Sequence, residues 1–184
     1  AKLIRHVENG EIVVIENDQL KSINPFPPKK ARPFVFEYIY FARPDSILNG
    51  KTAYEHRKNL GIELAKENDV DADIIVPVPD SGNAAALGFA QHLKMNYEHG
   101  LIRNHYVGRT FIEPTQQIRS LGVKLKLNAN QTTIQDKRIV LIDDSLVRGT
   151  TSHKIVKMLY DAGAKEVHVK IACPEIRYPD FYGV

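Results

Sequence analysis

The chain has 184 residues, and its 25 Lys and Arg exceed its 22 Asp and Glu by a net charge of only +3. That length suits one domain with a real core, and so mild a basic excess gives no argument for nucleic acid as a partner. A lone cysteine, Cys173, excludes an internal disulfide framework and fits a reducing compartment, while no apolar run is long enough for a membrane span and no signal-peptide pattern opens the chain. The expected location is cytoplasmic.

Taken in chain order, Glu11 to Ile15 reads as a strand, followed by a turn at Glu16 to Asp18. Four of the ten prolines fall between Pro25 and Pro33, which excludes regular structure and predicts a connector or extended arm. The Lys29-Lys30 pair there reads as solvated. Val35 to Ala42, VFEYIYFA, is aromatic and β-branched, so a strand is expected. From Lys51 to about Asn68 the pattern turns helical, with Tyr54, Leu60, Leu64 and Ala65 able to share a buried side.

The rhythm then becomes strand, turn, helix, repeated. ADIIVPVP runs into DSGN and a helix NAAALGFAQHL; IVLI runs into DDSLVRGTTS and a helix HKIVKMLYDAGA, with Gly163 placed at its C′ position. VHVKIA, Val167 to Ala172, alternates as a further strand. The expected fold is therefore α/β, a mostly parallel sheet with helices on both faces. Ligands of such sheets sit at the carboxyl ends of the strands, where the loops Asp80 to Asn83 and Asp143 to Ser152 both lie.

In the second loop, Gly149 followed by Thr150, Thr151 and Ser152 at the mouth of a helix can cradle an anion, because the first N–H groups of a helix lack internal partners. An ordinary helix cap accounts for the same residues equally well. The adjacent Asp143 and Asp144 tip the balance. Carboxylates cannot bind phosphate, so they must face another part of the ligand, either the vicinal hydroxyls of a ribose or a hydrated Mg²⁺. A phosphate at one end with a diol nearby describes a ribose 5-phosphate. The Asp80-Ser81-Gly82-Asn83 loop can hold a second anion, although alone it reads as a turn with an N-cap. Between the loops, Arg103 to Lys126 carries Arg103, Arg109, Arg119, Lys124 and Lys126 against the single acid Glu113, with Gly108, Pro114 and Gly122 opposing continuous helix. A basic, irregular excursion of this length suits a lid over a polyanion. The seven histidines show no metal-ligand spacing.

IVLIDDSLVRGTT resembles the phosphoribosyl pyrophosphate (PRPP) signature of the type I phosphoribosyltransferases. FEYIYFARPDS, VPVPDSGNAAA, NHYVGRTFIEPTQQIR and KLKLNAN narrow the resemblance to the glutamine PRPP amidotransferases, from about Gly10 to Val184. The resemblance implies a type I phosphoribosyltransferase fold with a flexible lid. It implies transfer of a phosphoribosyl group to ammonia with loss of pyrophosphate, in the first step of purine biosynthesis. It further implies that Asp143 and Asp144, with Arg103 and Arg109 of the lid, are catalytic. Asp80, Ser81, Gly82, Ser145, Arg148, Gly149, Thr150 and Thr151 would bind substrate, and Ser81, Asp143 and Asp144 would hold Mg²⁺. Purine nucleotides are implied as inhibitors, a homo-oligomer as the assembly, and a separate glutaminase subunit as a partner.

The sequence also departs from that family. Members carry an N-terminal glutaminase domain opened by a catalytic cysteine, whereas this chain opens with Ala1. Residues 1–33 are expected to be the tail of that domain plus an arm, and residues 34–184 a phosphoribosyltransferase domain shortened at its end. Phe34 and Asp180 stand where some members have cluster-binding cysteines, so no iron–sulfur cluster is expected. The lid opens with Arg103-Asn104-His105 in place of Lys-Asn-Arg. Two readings stand: an ammonia-dependent transferase, or a non-catalytic protein that binds PRPP or purine nucleotides.

Overall fold

The computed structural model describes residues 3–67, 70–106 and 126–178. They fall into two compact units, Ala1–Phe34 and Val35–Val184. In the first, β1 (Ile12–Glu16) and β2 (Gln19–Ile23) form an antiparallel hairpin. Asn17 and Asp18 both adopt positive φ, the twist that a two-residue hairpin turn requires. Sequence reading placed one strand here and missed the second, because QLKSI has only two apolar residues to mark it. Glu11 binds the hairpin to its leader: it pairs with Arg5 at 2.6 Å and accepts from the Glu8 amide at 2.7 Å. Residues 24 to 34 have no regular structure, as the prolines dictate.

The second unit opens with a correction. Val35 to Ala42 is not a strand but a helical turn that widens into one π-helical turn over Glu37–Phe41, closed by the Ala42 amide on the Glu37 carbonyl at 3.1 Å. Phe36 and Ile39, three apart, are its buried residues, which is helical spacing. Among the described residues no strand pairs with it, whereas Arg57 takes up the Tyr38 and Ala42 carbonyls at 2.9 and 2.8 Å. Local β propensity loses to that tertiary capture. A short hairpin follows, β3 (Ile47–Leu48) and β4 (Lys51–Thr52).

Helix α1 (Ala53–Lys66) starts on a capping box in which Thr52 and Glu55 satisfy each other's backbone N–H. Its buried stripe is Ala53, Arg57, Gly61 and Ala65, rather than the expected Tyr54, Leu60 and Leu64. Tyr54 is exposed and the two leucines sit at the margin of the core. The reason is close approach. A Cβ on Gly61 would lie 1.8 Å from the Ala85 carbonyl oxygen, and one on Gly88 would lie 2.0 Å from that of Lys58. Small residues therefore face the contact between α1 and α2 (Asn83–Leu93), and larger ones are pushed to its edges.

The sheet is parallel, in the order β5 (Ile74–Pro77), β8 (Arg138–Asp143), β9 (Glu166–Ile171). Tyr97 adds a parallel bridge to Ile75 on the outer side of β5. Alternation along β5 and β8 divides the core. Ile75, Val140 and Ile142 face α1 and α2 through Ala85, Ala86 and Phe89. Ile74, Val76, Ile139 and Leu141 face the other way, onto Ile155 and Leu159 of α3 (Thr150–Asp161). Each such aliphatic side chain contributes about 1.5–3 kcal/mol on burial. Gly163, at φ +93°, ends α3 as expected. Lastly β6 (Leu101–Arg103) pairs antiparallel with β7 (Leu127–Ala129). Arg103, Leu127 and Asn128 are thus strand residues, so the irregular excursion expected between Arg103 and Asn128 is fixed at both ends. Its centre, with Arg109, lies outside the described residues.

Candidate functional site

Two strand ends are brought together by one glycine. Beyond β5, the Val78 amide donates to the Ile142 carbonyl at 2.8 Å, and the Gly82 amide turns back to Val78 at the same distance. A Cβ on Gly82 would stand 2.5 Å from the Ile142 oxygen and 2.9 Å from that of Val78. Only glycine lets the Asp80–Gly82 loop rest on the end of β8, and there the Ser81 hydroxyl reaches the Asp144 carboxylate. No side chain caps α2, so the simple N-cap reading of this loop fails.

Asp143 is the last residue of β8 and Asp144 the first beyond it. Their carbonyls accept from the Ala172 and Cys173 amides at 2.9 Å each, which fixes the backbone beside the end of β9. The Asp144 amide donates to Asp143 Oδ1 at 2.9 Å. Asp144 is 6% exposed; its Oδ1 accepts from the Ser145 hydroxyl at 2.7 Å, whereas Oδ2 has no hydrogen-bond partner among the described residues. Burial and then the neighbouring Asp144 charge push the Asp143 carboxyl up to about 7, against the Asp144 amide. Burial also raises Asp144, opposed by the Ser145 and Ser81 hydroxyls and by the Arg57 cation. A pair so placed suits a cation or a donor-rich ligand.

Beyond the acids the chain turns at Gly149, φ +70°, into α3. No side chain caps this helix either. Thr150, Thr151 and Ser152 form its first turn rather than a preceding loop, so their amides carry the positive end of the dipole while the two threonines stay exposed. The alternative of a simple cap is thereby removed. An open concavity of about 480 Å³ runs from Asp143 and Ser145 along the loop to Ser152. Arg148 on its wall is exposed. Acid and anion cradle thus share one hollow.

Asp80 is exposed and its carboxylate pairs with Arg103. Arg103 Nε and Asn83 Oδ1 join Asp144 Oδ2 as buried side-chain atoms lacking a hydrogen-bond partner among the described residues. Buried orphans of this kind are rare, and here they gather around the carboxyl edge of the sheet. Sequence reading gave no role to Arg57, whose one legible signal was the four-residue spacing Ala53, Arg57, Gly61, Ala65. Cys173 is half-buried, and burial followed by the Asp144 charge raises its thiol, the behaviour of an inert structural cysteine. Among the described residues no helix is long and apolar enough to cross a membrane, and no three of His, Cys, Asp and Glu cluster as a metal site.

The chain matches part of several curated proteins named amidophosphoribosyltransferase. It is 59% identical to that of Rhizobium etli, over 100% of this chain and 38% of the relative. It is 46% identical to that of Methanocaldococcus jannaschii, over 100% and 42%, and 49% identical to the chloroplastic protein of Glycine max, over 98% and 32%. The chain therefore spans well under half the length of these relatives. Among solved structures, the glutamine PRPP amidotransferase of B. subtilis complexed with ADP and GMP superposes with a TM-score of 0.83 at 49% identity, over 98% of this chain and 40% of that one. No protein-family profile matches. This chain is a homologue, over its whole length, of one part of the amidophosphoribosyltransferases, and its fold is the α/β fold of a type I phosphoribosyltransferase.

Proposed function

We propose that the chain transfers the phosphoribosyl group of PRPP to ammonia, releasing pyrophosphate and forming 5-phosphoribosylamine, the first step of purine biosynthesis. One observation carries this reading: Asp143 lines the same hollow as the uncapped first turn of α3. A ribose 5-phosphate has a diol for the acids and a phosphate for the amides and hydroxyls of Gly149 to Ser152. Asp143 and Asp144 bind the sugar hydroxyls. Ser145, Arg148, Gly149, Thr150 and Thr151 hold the 5-phosphate, and the Asp80–Gly82 loop, through Ser81, faces the pyrophosphate. Arg103, released from Asp80, and Arg109 supply cations to the leaving group, and a lid carrying Arg109 excludes water. The Val35–Val184 unit carries this chemistry.

The nitrogen lone pair of ammonia attacks C1 of the ribose with inversion. The bond from C1 to the pyrophosphate oxygen breaks with both electrons, and the nitrogen then loses a proton. Charge leaves the ring for the pyrophosphate, so positioning and electrostatics do most of the work and no protein nucleophile is needed. Mg²⁺ fits the donor set: Asp143, Asp144 and Ser81 offer hard oxygens, and Asp144 Oδ2 is buried without a hydrogen-bond partner among the described residues. Bound with PRPP, it would neutralise pyrophosphate charge. Ammonia comes from a separate glutaminase subunit or domain, and the chain works as a homo-oligomer in the cytoplasm.

The test mixes the chain with PRPP, Mg²⁺ and ammonium and follows pyrophosphate release. Release that disappears in Asp143→Asn is expected; PRPP binding without release in the unaltered chain overturns the transfer in favour of a non-catalytic binding protein, and absence of both overturns the reading of the site. Purine nucleotides carry the same ribose phosphate, and the B. subtilis relative was solved with ADP and GMP. AMP and GMP are therefore proposed to compete for the cradle, and PRPP binding unchanged by saturating AMP or GMP refutes this.

A further inference from the structure

We infer that Asp80 is a positioning residue that stands in for pyrophosphate: its carboxylate holds Arg103 in the ligand-free chain and takes it back as the product leaves. The inference rests on the phosphoribosyl reading proposed above and adds to it a means of shedding the product. A carboxylate needs a reason to stand in a loop that faces a polyanion, because like charges brought together are costly. The reason is its partner. Arg103 Nη1 donates to Asp80 Oδ2, a contact between positions 23 residues apart in the chain.

Only side chains need to move to break that contact. Arg103 ends β6 and is paired with Leu127 of β7, and the next amide, that of Asn104, donates to the Lys126 carbonyl at 2.8 Å. The Asp80 loop is seated in turn by the Gly82 amide on the Val78 carbonyl, and the Asp80 carbonyl accepts from the Asn83 amide at 3.3 Å. Both backbones are thus anchored, while the side chains of Arg103 and Asp80 are 33% and 51% exposed. An ion pair so open to water is weak enough to exchange readily. It also leaves donor capacity unused: Arg103 Nε is buried with no hydrogen-bond partner among the described residues. Pyrophosphate carries more charge and more oxygens than one carboxylate, so on arrival it draws the guanidinium away from Asp80. Once the transfer is over, the tethered carboxylate competes for the same guanidinium at high effective concentration. PRPP, held also through its ribose and 5-phosphate, tolerates this competition. Free pyrophosphate has no such second anchor and is released.

A double-mutant cycle on the full chain tests this. Affinity for inorganic pyrophosphate at fixed Mg²⁺ is measured for the unaltered chain, Asp80→Asn, Arg103→Gln and the double variant. Ribose 5-phosphate, which needs only the acid pair and the α3 cradle, serves as the reference ligand. The expected result is that Asp80→Asn binds pyrophosphate about three- to fivefold more tightly, that the gain vanishes in the Arg103→Gln background, and that ribose 5-phosphate affinity is unchanged. Mere damage to the loop would weaken binding, not strengthen it. An equal gain in both backgrounds overturns the inference, since Asp80 would then act on pyrophosphate by repulsion alone. So does a matching gain for ribose 5-phosphate, or pyrophosphate binding by Asp80→Asn that is unchanged or weaker. If the unaltered chain binds neither ligand, the proposed function fails and the inference falls with it.

Discussion

Gly82→Ala probes whether the seating of one loop controls the site. The added Cβ would stand 2.5 Å from the Ile142 carbonyl oxygen, 2.9 Å from that of Val78 and 3.1 Å from the Val78 nitrogen. These are backbone atoms of the end of β8 and of the turn itself, so no side chain can swing aside. Restoring ordinary contact near 3.4 Å needs a shift of about 1 Å. Gly82 has φ −78°, a value any residue adopts, so the cost is steric rather than conformational. Overpacking of this kind costs about 1–3 kcal/mol, offset by some loss of backbone entropy in the unfolded chain. The shift also carries Ser81 away from Asp144, and a misplacement of about 1 Å costs roughly a hundredfold in a positioned reaction. Urea unfolding should show the stability loss, and PRPP binding with pyrophosphate release should fall far beyond the unfolded fraction. Gly88→Ala is the control. It forces α2 against Lys58 O and should lose stability without a matching loss of site function among its folded molecules. Gly82→Ala with unaltered PRPP affinity and turnover would refute the argument that this contact seats the loop.

Further outcomes follow from the charges and the cradle. Asp143 is raised from the usual carboxylate range to about 7, so its ionisation opposes folding. In the metal-free chain that penalty is absent below about pH 4 and grows until about pH 7. Asp143→Asn, whose amide oxygen still accepts from Asp144, should match the parent in unfolding free energy near pH 4 and exceed it near pH 8; a pH-independent difference contradicts this. Asp73 shifts the other way, to about 2, first through its Arg138 side-chain bonds and then through the Arg138 amide. Its stabilisation is complete above about pH 4 and lost as pH falls through about 2, so Asp73→Asn should flatten the acid limb of the unfolding curve. Gly149→Ala meets no atom closer than 4.0 Å but must hold φ +70°, a strain of about 1–2 kcal/mol. Inorganic phosphate titration should show weakened binding at the cradle, and wild-type affinity would indicate that the turn tolerates a side chain.

The alternation of strands and helices, the two loops at the carboxyl edge and the acid pair beside the RGTTS turn were legible because each rests on local pattern. IVLI is uniformly apolar since both its faces are covered, and Gly163 announces a helix end that its positive φ confirms. VFEYIYFA was misread because its residues favour strands, whereas the Arg57 fork that takes up the turn's carbonyls comes from 15 to 19 positions away. The buried side of α1 was misread for a related reason. Ala65 is buried as read, but hydrophobicity also pointed to Tyr54 and the leucines, whereas backbone contact with α2 demands Gly61. Sequence alone determined which residues carry the charges, hydroxyls and glycines of a sugar-phosphate site. The tertiary structure decided that Ser81 meets Asp144, that Asp80 turns to Arg103 and that Arg57 takes up the Tyr38 and Ala42 carbonyls. Each of these depends on segments far apart in the chain, and where such segments meet in the low-dielectric interior an unbalanced charge or one surplus methyl group is felt directly.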